Sequence, residues 1–362
     1  MVNKFRNPDS TFWTGKKVLV TGHTGFKGSW LTLWLSELGA HVVGASNTAD
    51  ITNPNNFRQS SISELCDSRL LDITNRPQLC NLITETKPDV VFHLAAQSLV
   101  YEGYQEPYNT FFVNFFGTLS LLESIRKLGH PRVNVIITTD KVYRNNGFNQ
   151  IFSENDTLGG VDPYSASKAS SEILIESYRS SFFHKSKIAL ASARAGNVIG
   201  GGDWSPLRIM PDIVRSRYSN SPLLIRNPQA TRPWQYVLDP LCGYLLFAED
   251  LYANPQVAQP LNFGPIGTED LTVGQIIEKA QEYFKHNLLM NQQQESSFRE
   301  ESFLRLDSTK AKELIDWQPR INQVKAIEMT LDWYSAVNGA NEARDISIRQ
   351  IKEFECYGLS CE

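Results

Sequence analysis

Val18-Leu19-Val20-Thr21-Gly22-His23-Thr24-Gly25-Phe26-Lys27-Gly28 is an apolar run of strand length, a glycine-punctuated turn, and then the start of a segment with helical period. The glycines are spaced G-x-x-G-x-x-G. Gly22 and Gly25 allow a tight turn and let backbone N–H groups approach a pyrophosphate. Gly28 lets the following helix lie close to the strand, and the helix N-terminus favours the negative charge. Such spacing alone is weak evidence; placed between a strand and a helix it points to a dinucleotide loop containing Gly22, Thr24, Gly25, Phe26, Lys27 and Gly28.

The same rhythm continues outward from this loop. The helix over 26–38 places Trp30, Leu31, Leu33, Trp34 and Leu38 on one side, and Gly39 stops it. Short β-branched runs follow at 41–45, 69–71, 89–94, 133–139 and 188–193, separated by helical segments at 76–86, 107–127 and 163–183. Strand–helix alternation of this kind predicts an α/β fold, a doubly wound parallel sheet of Rossmann type covered on both faces. After Arg194 the rhythm breaks into Gly- and Pro-rich pieces and helices near 209–217, 273–284, 308–315 and 322–334. We read this as a smaller C-terminal substrate-binding lobe. The expected division is a nucleotide-binding domain over 12–195 with a return segment near 232–263, a lobe made of 196–231 and 264–340, and a tail at 341–362. One or two returns to the sheet are expected within 235–248. The first ten residues read as frayed, and the tail as charged and uninformative.

Composition narrows the function. The chain has 362 residues, 41% of them hydrophobic and 20% charged, with a formal net charge of −4. It has no basic block suited to a phosphate polymer, so no nucleic-acid partner is expected. The uncharged apolar stretch 107–122 is too short to cross a bilayer and contains Asn109 and Asn114. No membrane partner and a cytoplasmic location are expected. Five scattered cysteines (Cys66, Cys80, Cys242, Cys356, Cys361) read as reduced thiols rather than a disulfide frame or a metal site.

Two further groups carry chemistry. Tyr164 and Lys168 lie i, i+4 at the start of the predicted helix 163–183, on one face. A lysine ammonium beside a phenol stabilises phenolate and can also hold a nicotinamide ribose. Tyr-x-x-x-Lys is a common pattern, and its meaning comes from its place downstream of a dinucleotide loop. Thr138-Thr139-Asp140-Lys141 ends the preceding strand, at the carboxyl edge where open α/β sheets bind ligands. At the end of the second strand Ala45-Ser46-Asn47 offers neither an acid for a ribose hydroxyl nor an arginine for a 2′-phosphate, leaving NAD and NADP open. Asp72, past the third strand, is placed to meet the adenine amino group or to cap its own loop.

Together these residues resemble the extended short-chain dehydrogenase/reductase superfamily of sugar-nucleotide epimerases and 4,6-dehydratases. The resemblance, over about residues 10–340, is sharpest to the CDP-glucose 4,6-dehydratase family. It rests on Gly-His-Thr-Gly-Phe-Lys-Gly-Ser-Trp (22–30), His-Leu-Ala-Ala-Gln (93–97), Asp140-Lys141, and Leu-Gly-Gly-Val-Asp-Pro-Tyr-Ser-Ala-Ser-Lys-Ala (158–169). The most specific pieces are Ala-Arg-Ala-Gly-Asn-Val-Ile-Gly-Gly-Gly-Asp-Trp (193–204) and Arg-Pro-Trp-Gln-Tyr-Val-Leu (232–238).

The resemblance implies NAD as cofactor, held by the loop and by Asp72, Ile73, Leu94, Ala95, Ala96, Tyr164 and Lys168. It implies CDP-glucose as substrate, its diphosphate met by Asn197, Arg208 and Arg232. Tyr164 would take the 4-hydroxyl proton while Thr139 polarises the developing ketone. Asp140 would protonate the departing C6 hydroxyl, and Lys141, acting as a neutral amine, would remove the C5 proton. The product would be the 4-keto-6-deoxy sugar, a deoxysugar precursor for polysaccharide, with no net consumption of NAD. A homodimer through a four-helix bundle of 107–127 and 163–183 is also implied, and no metal. The chain departs from the family at Val142-Tyr143-Arg144, where Cys-Tyr-Glu is usual, and at Ser98–Tyr101, where Pro-Leu-Val-Arg is common. Alternatives are a 4-epimerase or a dehydratase for another nucleotide sugar, a plain ketone reductase, and a redox-inactive dinucleotide sensor. Asp140-Lys141 speaks against an epimerase, which needs no elimination pair.

Overall fold

The computed structural model describes residues 5–147, 150–265, 270–292, 304–337 and 340–357. Its main sheet has seven strands: β1 (Lys17–Thr21), β2 (His41–Ser46), β3 (Asp67–Leu70), β4 (Val90–His93), β5 (Val133–Ile137), β6 (Ala189–Ala195) and β7 (Pro260–Phe263). They run in the order β7-β6-β5-β4-β1-β2-β3, and every neighbouring pair is parallel. The expected doubly wound sheet is therefore present. The chain order reverses between β1 and β4, so a crevice opens at their carboxyl ends.

Side chains alternate across the sheet. Val18, Val20, Val90, Phe92, Val133 and Val135 face one core, while Leu19, Val91 and Ile136 face the other. The helices between strands are α1 (Phe26–Glu37), α2 (Arg76–Thr86), α3 (Gly117–Leu128) and α4 (Pro163–Tyr178). Two of them are extended by wider π turns: Phe112–Phe116 leads into α3, and Arg179–Phe183 continues α4. After the sheet's sixth strand come α5 (Ile209–Ser219), α6 (Leu238–Ala253), α7 (Val273–Phe284), α8 (Thr309–Ile315), α9 (Gln323–Ala336) and α10 (Ala340–Cys356).

Several expectations need correction. The return to the main sheet is β7 at Pro260–Phe263; Gln235–Tyr236 pairs instead with Val198–Ile199 in a separate two-stranded ladder, and most of 238–248 lies in α6. The third strand starts earlier than expected, at Asp67, and is an exposed edge whose Arg69 is paired with Asp67 at 2.6 Å. A charged edge of this kind resists strand addition. Residues 5–10 are held down: Arg6 donates to Asp250 at 2.8 Å and to the Ile315 carbonyl at 2.9 Å, and Asp9 N–H donates to Glu249 at 2.8 Å.

The charged tail is largely a helix, α10. Its Phe354 ring lies 5.7 Å from that of Trp34, and Trp34 Nε1 donates to Glu355 at 2.8 Å. This is why α1 has no wet stripe: residues from Gly28 to Leu35 are all buried, against the single apolar side that its pattern suggested. The charges of α10 hid an inner face containing Ile346, Ile351 and Phe354. Cys66, Cys80, Cys242 and Cys356 are free thiols; Cys361 lies outside the described residues.

Candidate active site

The dinucleotide loop leaves β1 through Gly22, whose φ of +76° suits glycine. A Cβ there would come within 2.7 Å of Ala95 N, because the loop passes under the end of β4. A Cβ on Gly28 would overlap the Gly22 carbonyl, so α1 can pack against the turn only without a side chain at that position. Gly25 is the N-cap of α1 and provides no side-chain cap, leaving the first-turn N–H groups without a local acceptor. Thr24 Oγ1 donates to the Thr48 carbonyl at 2.8 Å, which ties the loop to the segment after β2. The Leu94 and Ala95 amides donate to Thr21, carbonyl and hydroxyl respectively, at 3.0 and 3.3 Å. Ala96 is half-buried next to them. Asp72 is exposed, and its Oδ1 accepts from the Thr74 amide and hydroxyl, the loop-capping arrangement. Ile73 is buried against Gly117.

The second group gathers at the carboxyl ends of β5 and β6. Asp162 caps α4 by accepting from Ser165 N at 3.0 Å, and Pro163 occupies its first turn. That start places Tyr164 (8% exposed) and Lys168 (6% exposed) inside the crevice. The Tyr164 phenol lies near the Thr139 hydroxyl. Burial pushes its pKa up to about 12, while the nearby Thr139 hydroxyl and the Arg208 charge act the other way. Lys168 Nζ donates to the Ile137 carbonyl at 3.1 Å, and burial pushes it down to about 8.

Asp140 is 1% exposed. Its Oδ1 accepts from Thr139 Oγ1 at 2.8 Å and lies 3.5 Å from Lys141 Nζ. Its Oδ2 is buried with no hydrogen-bond partner, and so is Asn197 Nδ2 on the neighbouring strand end. Gly196 brings these strand ends together: a Cβ there would sit 2.9 Å from Asp140 Oδ2. Unsatisfied buried polar atoms are uncommon, and a polar ligand reaching these strand ends would complete both. Together with the glycine cradle and the uncapped start of α1, they fit a dinucleotide lying beside a hydroxylated substrate.

Arg208 donates to Asp203 at 2.9 Å, and its charge reaches Tyr164 and Lys27. It therefore belongs to the crevice. Arg232 is half-buried and donates to the Thr231 carbonyl at 2.8 Å, in the segment leading to the small ladder.

Sequence reasoning placed Lys27 in the dinucleotide loop but missed its inward turn, and it missed Asn114 and the Glu172–Arg194 pair. Lys27 turns inward, its Nζ 3.3 Å from the Tyr244 hydroxyl; burial first, then the Arg208 and Lys168 charges, push it down to about 7. Asn114, noted only as an interruption in an apolar run, bridges Gln97 and Ser167 and so ties the loop after β4 to α4. Its burial inside an aromatic-rich stretch was the available signal. Glu172 and Arg194 form a buried pair behind the site. Of the two departing loops, Tyr143 is turned into the protein, stacked on Phe152, and Arg144 is exposed beside Gly159. The helix Val100–Gln105 packs Gly103 against the Tyr164 turn.

Residues 19–330 match the profile of the family described as GDP-mannose 4,6 dehydratase. The chain is 40% identical over 352 residues to the CDP-glucose 4,6-dehydratase of Salmonella typhimurium strain LT2, covering 96% of this chain and 98% of that protein. It is 26% identical over 321 residues to the UDP-glucose 4-epimerase of Mycoplasma pneumoniae, covering 84% and 93%. Among solved structures it resembles the dTDP-glucose 4,6-dehydratase of Bacillus anthracis in complex with NAD, with a TM-score of 0.74, 22% identity, and coverage of 89% and 97%. It also resembles the Bacillus cereus UDP-glucuronic acid 4-epimerase in complex with UDP-glucuronic acid and NAD, with a TM-score of 0.76, 24% identity, and coverage of 88% and 99%.

Proposed function

The chain belongs to the GDP-mannose 4,6 dehydratase family, and on that premise we propose that it dehydrates CDP-D-glucose to CDP-4-keto-6-deoxy-D-glucose with NAD as its cofactor. The observation that carries this reading is near-full-length identity of 40% to a CDP-glucose 4,6-dehydratase, joined to an Asp140–Lys141 pair whose carboxylate accepts from Thr139.

When bound, NAD would supply the hydride acceptor for C4 oxidation and the hydride source for reduction at C6. The loop from Gly22 to Gly28, with Ile73, Leu94, Ala95 and Ala96, lines its site; Asp72, Tyr164 and Lys168 complete it. Tyr164 takes the C4 hydroxyl proton, and Thr139 holds the same oxygen as it becomes a ketone. That ketone acidifies the adjacent C5–H. Lys141 removes the C5 proton, Asp140 gives a proton to the C6 hydroxyl, and water departs. Holding one sugar against these groups lets successive steps share a single geometry. Asn197, Arg208 and Arg232 meet the diphosphate, the arginines as charged donors. The nucleotide then lies between residues 12–195 and the lobe built from 196–231 and 264–340.

Two coarser properties belong to the same reading. A homodimer forms through the helical segments 107–127 and 163–183 as a four-helix bundle, supported by their exposed Tyr108, Phe112, Phe116 and Phe182. The location is cytoplasmic, supported by the four free thiols. Among the described residues no helix is long and apolar enough to cross a membrane.

Mass spectrometry of the protein incubated with CDP-, UDP-, dTDP- and GDP-glucose and GDP-mannose, with and without added NAD, tests the assignment. Loss of one water from the CDP sugar alone, without net NADH, is expected. Unchanged mass with altered sugar stereochemistry would make the protein an epimerase, and water loss from another donor would change the base.

A further inference from the structure

Glu172 stands one turn beyond Lys168 on α4, and Arg194 lies on β6; each side chain is 3% exposed. A carboxylate and a guanidinium at that depth are costly unless their polar atoms are engaged. Glu172 Oε1 accepts from Thr138 Oγ1 at 2.5 Å, and Oε2 accepts from Ser192 Oγ at 2.7 Å and from Arg194 at 2.8 Å. Arg194 also donates to the Tyr143 hydroxyl at 2.8 Å, and that hydroxyl donates to Asn262 on β7 at 2.7 Å. Thr138 immediately precedes Thr139 and Asp140, Tyr143 follows Lys141 by two residues, and α4 carries Tyr164 and Lys168. One buried network therefore touches every piece of backbone that presents the catalytic cluster.

We propose that the Glu172–Arg194 pair is a positioning device for this cluster, locking the end of β5 to α4 and setting a negative charge one helical turn behind Lys168. The inference rests on the proposed function, in which Lys168 serves Tyr164. The charges around Lys168 are Lys27 from α1 and Glu172 on its own helix, with His93 from β4 held neutral by burial, its pKa near 3. Glu172 is the carboxylate that opposes the effect of burial on Lys168.

The direction follows from electrostatics: removing a negative charge beside an ammonium makes the proton easier to lose. In Glu172→Gln the Lys168 midpoint falls by about one pH unit, tenfold in the protonation constant. The alkaline limb of kcat/KM moves down with it. The midpoint is read without substrate, from the 13C resonance of the Lys168 ε-carbon in lysine-labelled protein, assigned by its loss in Lys168→Arg. Glu172→Gln leaves Arg194 buried and unpaired and loses stability, so Glu172→Gln/Arg194→Gln is measured beside it. The double variant is expected to recover the melting temperature yet keep the lowered midpoint and a kcat reduced about 10- to 100-fold at unchanged KM. Recovery of kcat together with stability, or a Lys168 midpoint equal to wild type in both variants, overturns the proposal. Because the midpoint needs no substrate, a wrong substrate assignment would appear in the wild-type assay and not in this measurement.

Discussion

Lys141 is the residue on which the chemistry turns. Its Nζ lies 3.5 Å from Asp140 Oδ1, and its side chain keeps 25% of its surface exposed while Asp140 keeps 1%. The pair therefore has one arm in the protein and one toward the crevice, an arrangement suited to an elimination in which a proton is removed at one carbon and another is delivered to the leaving group beside it. In Lys141→Ala, C4 oxidation is expected to persist while C5 exchange with solvent stops, and overall turnover falls about 10²- to 10⁴-fold. Deuterium incorporation at C5 measured in heavy water decides it; unchanged incorporation removes Lys141 from the role. Tyr164 is a different case. The i, i+4 spacing puts Lys168 on its face, but the Thr139 hydroxyl near the phenol lies on another element, where no helical rule could have paired the two.

At the scale of elements, α10 shows how a polar sequence can still be structural. Gln350 Nε2 donates to the Met329 carbonyl at 2.7 Å, and its Oε1 accepts from the Tyr236 hydroxyl at 2.7 Å, which joins α10 to α9 and to the small ladder. Trp333 Nε1 donates to Ser347 Oγ at 2.8 Å in the same interface. Gln350→Leu leaves the fully buried Tyr236 hydroxyl unpaired, at a cost of about 1–3 kcal/mol. Chemical denaturation is expected to show a lower midpoint with the slope retained. An unchanged midpoint would mean that α10 contributes nothing through this contact. The N-terminal residues teach the same lesson, since Arg6 binds the Asp250 and Glu249 side chains of α6.

For the whole molecule, the uncovered aromatic surface matters most. Tyr108 is 80% exposed and stacks on Phe112 with ring centroids 5.9 Å apart; Phe112 and Phe116 are 39% and 49% exposed. These side chains do not fill the core, although the apolar run that contains them could be read either way. If the proposed dimer forms through this surface, replacing both with glutamate (Phe112→Glu with Phe116→Glu) is expected to give a folded monomer in sedimentation velocity where the wild type is a dimer, with the circular-dichroism spectrum unchanged. A variant that still sediments as a dimer would move the interface elsewhere.

What the sequence determined by itself is periodic or local. The alternation of strands and helices, the Gly22–Gly28 turn and the Gly39 stop each depend on neighbours a few residues apart, and all are legible in one dimension. The strand-end group Thr139-Asp140-Lys141 was legible too, because the carboxyl edge of a parallel sheet follows from the alternation. The return strand at Pro260–Phe263, the inner face of α10, the inward turn of Lys27 and the Glu172–Arg194 network were decided only by tertiary structure. Each joins residues 22 to 321 positions apart, and a contact at that separation is set by how layers pack, which leaves no period in the chain.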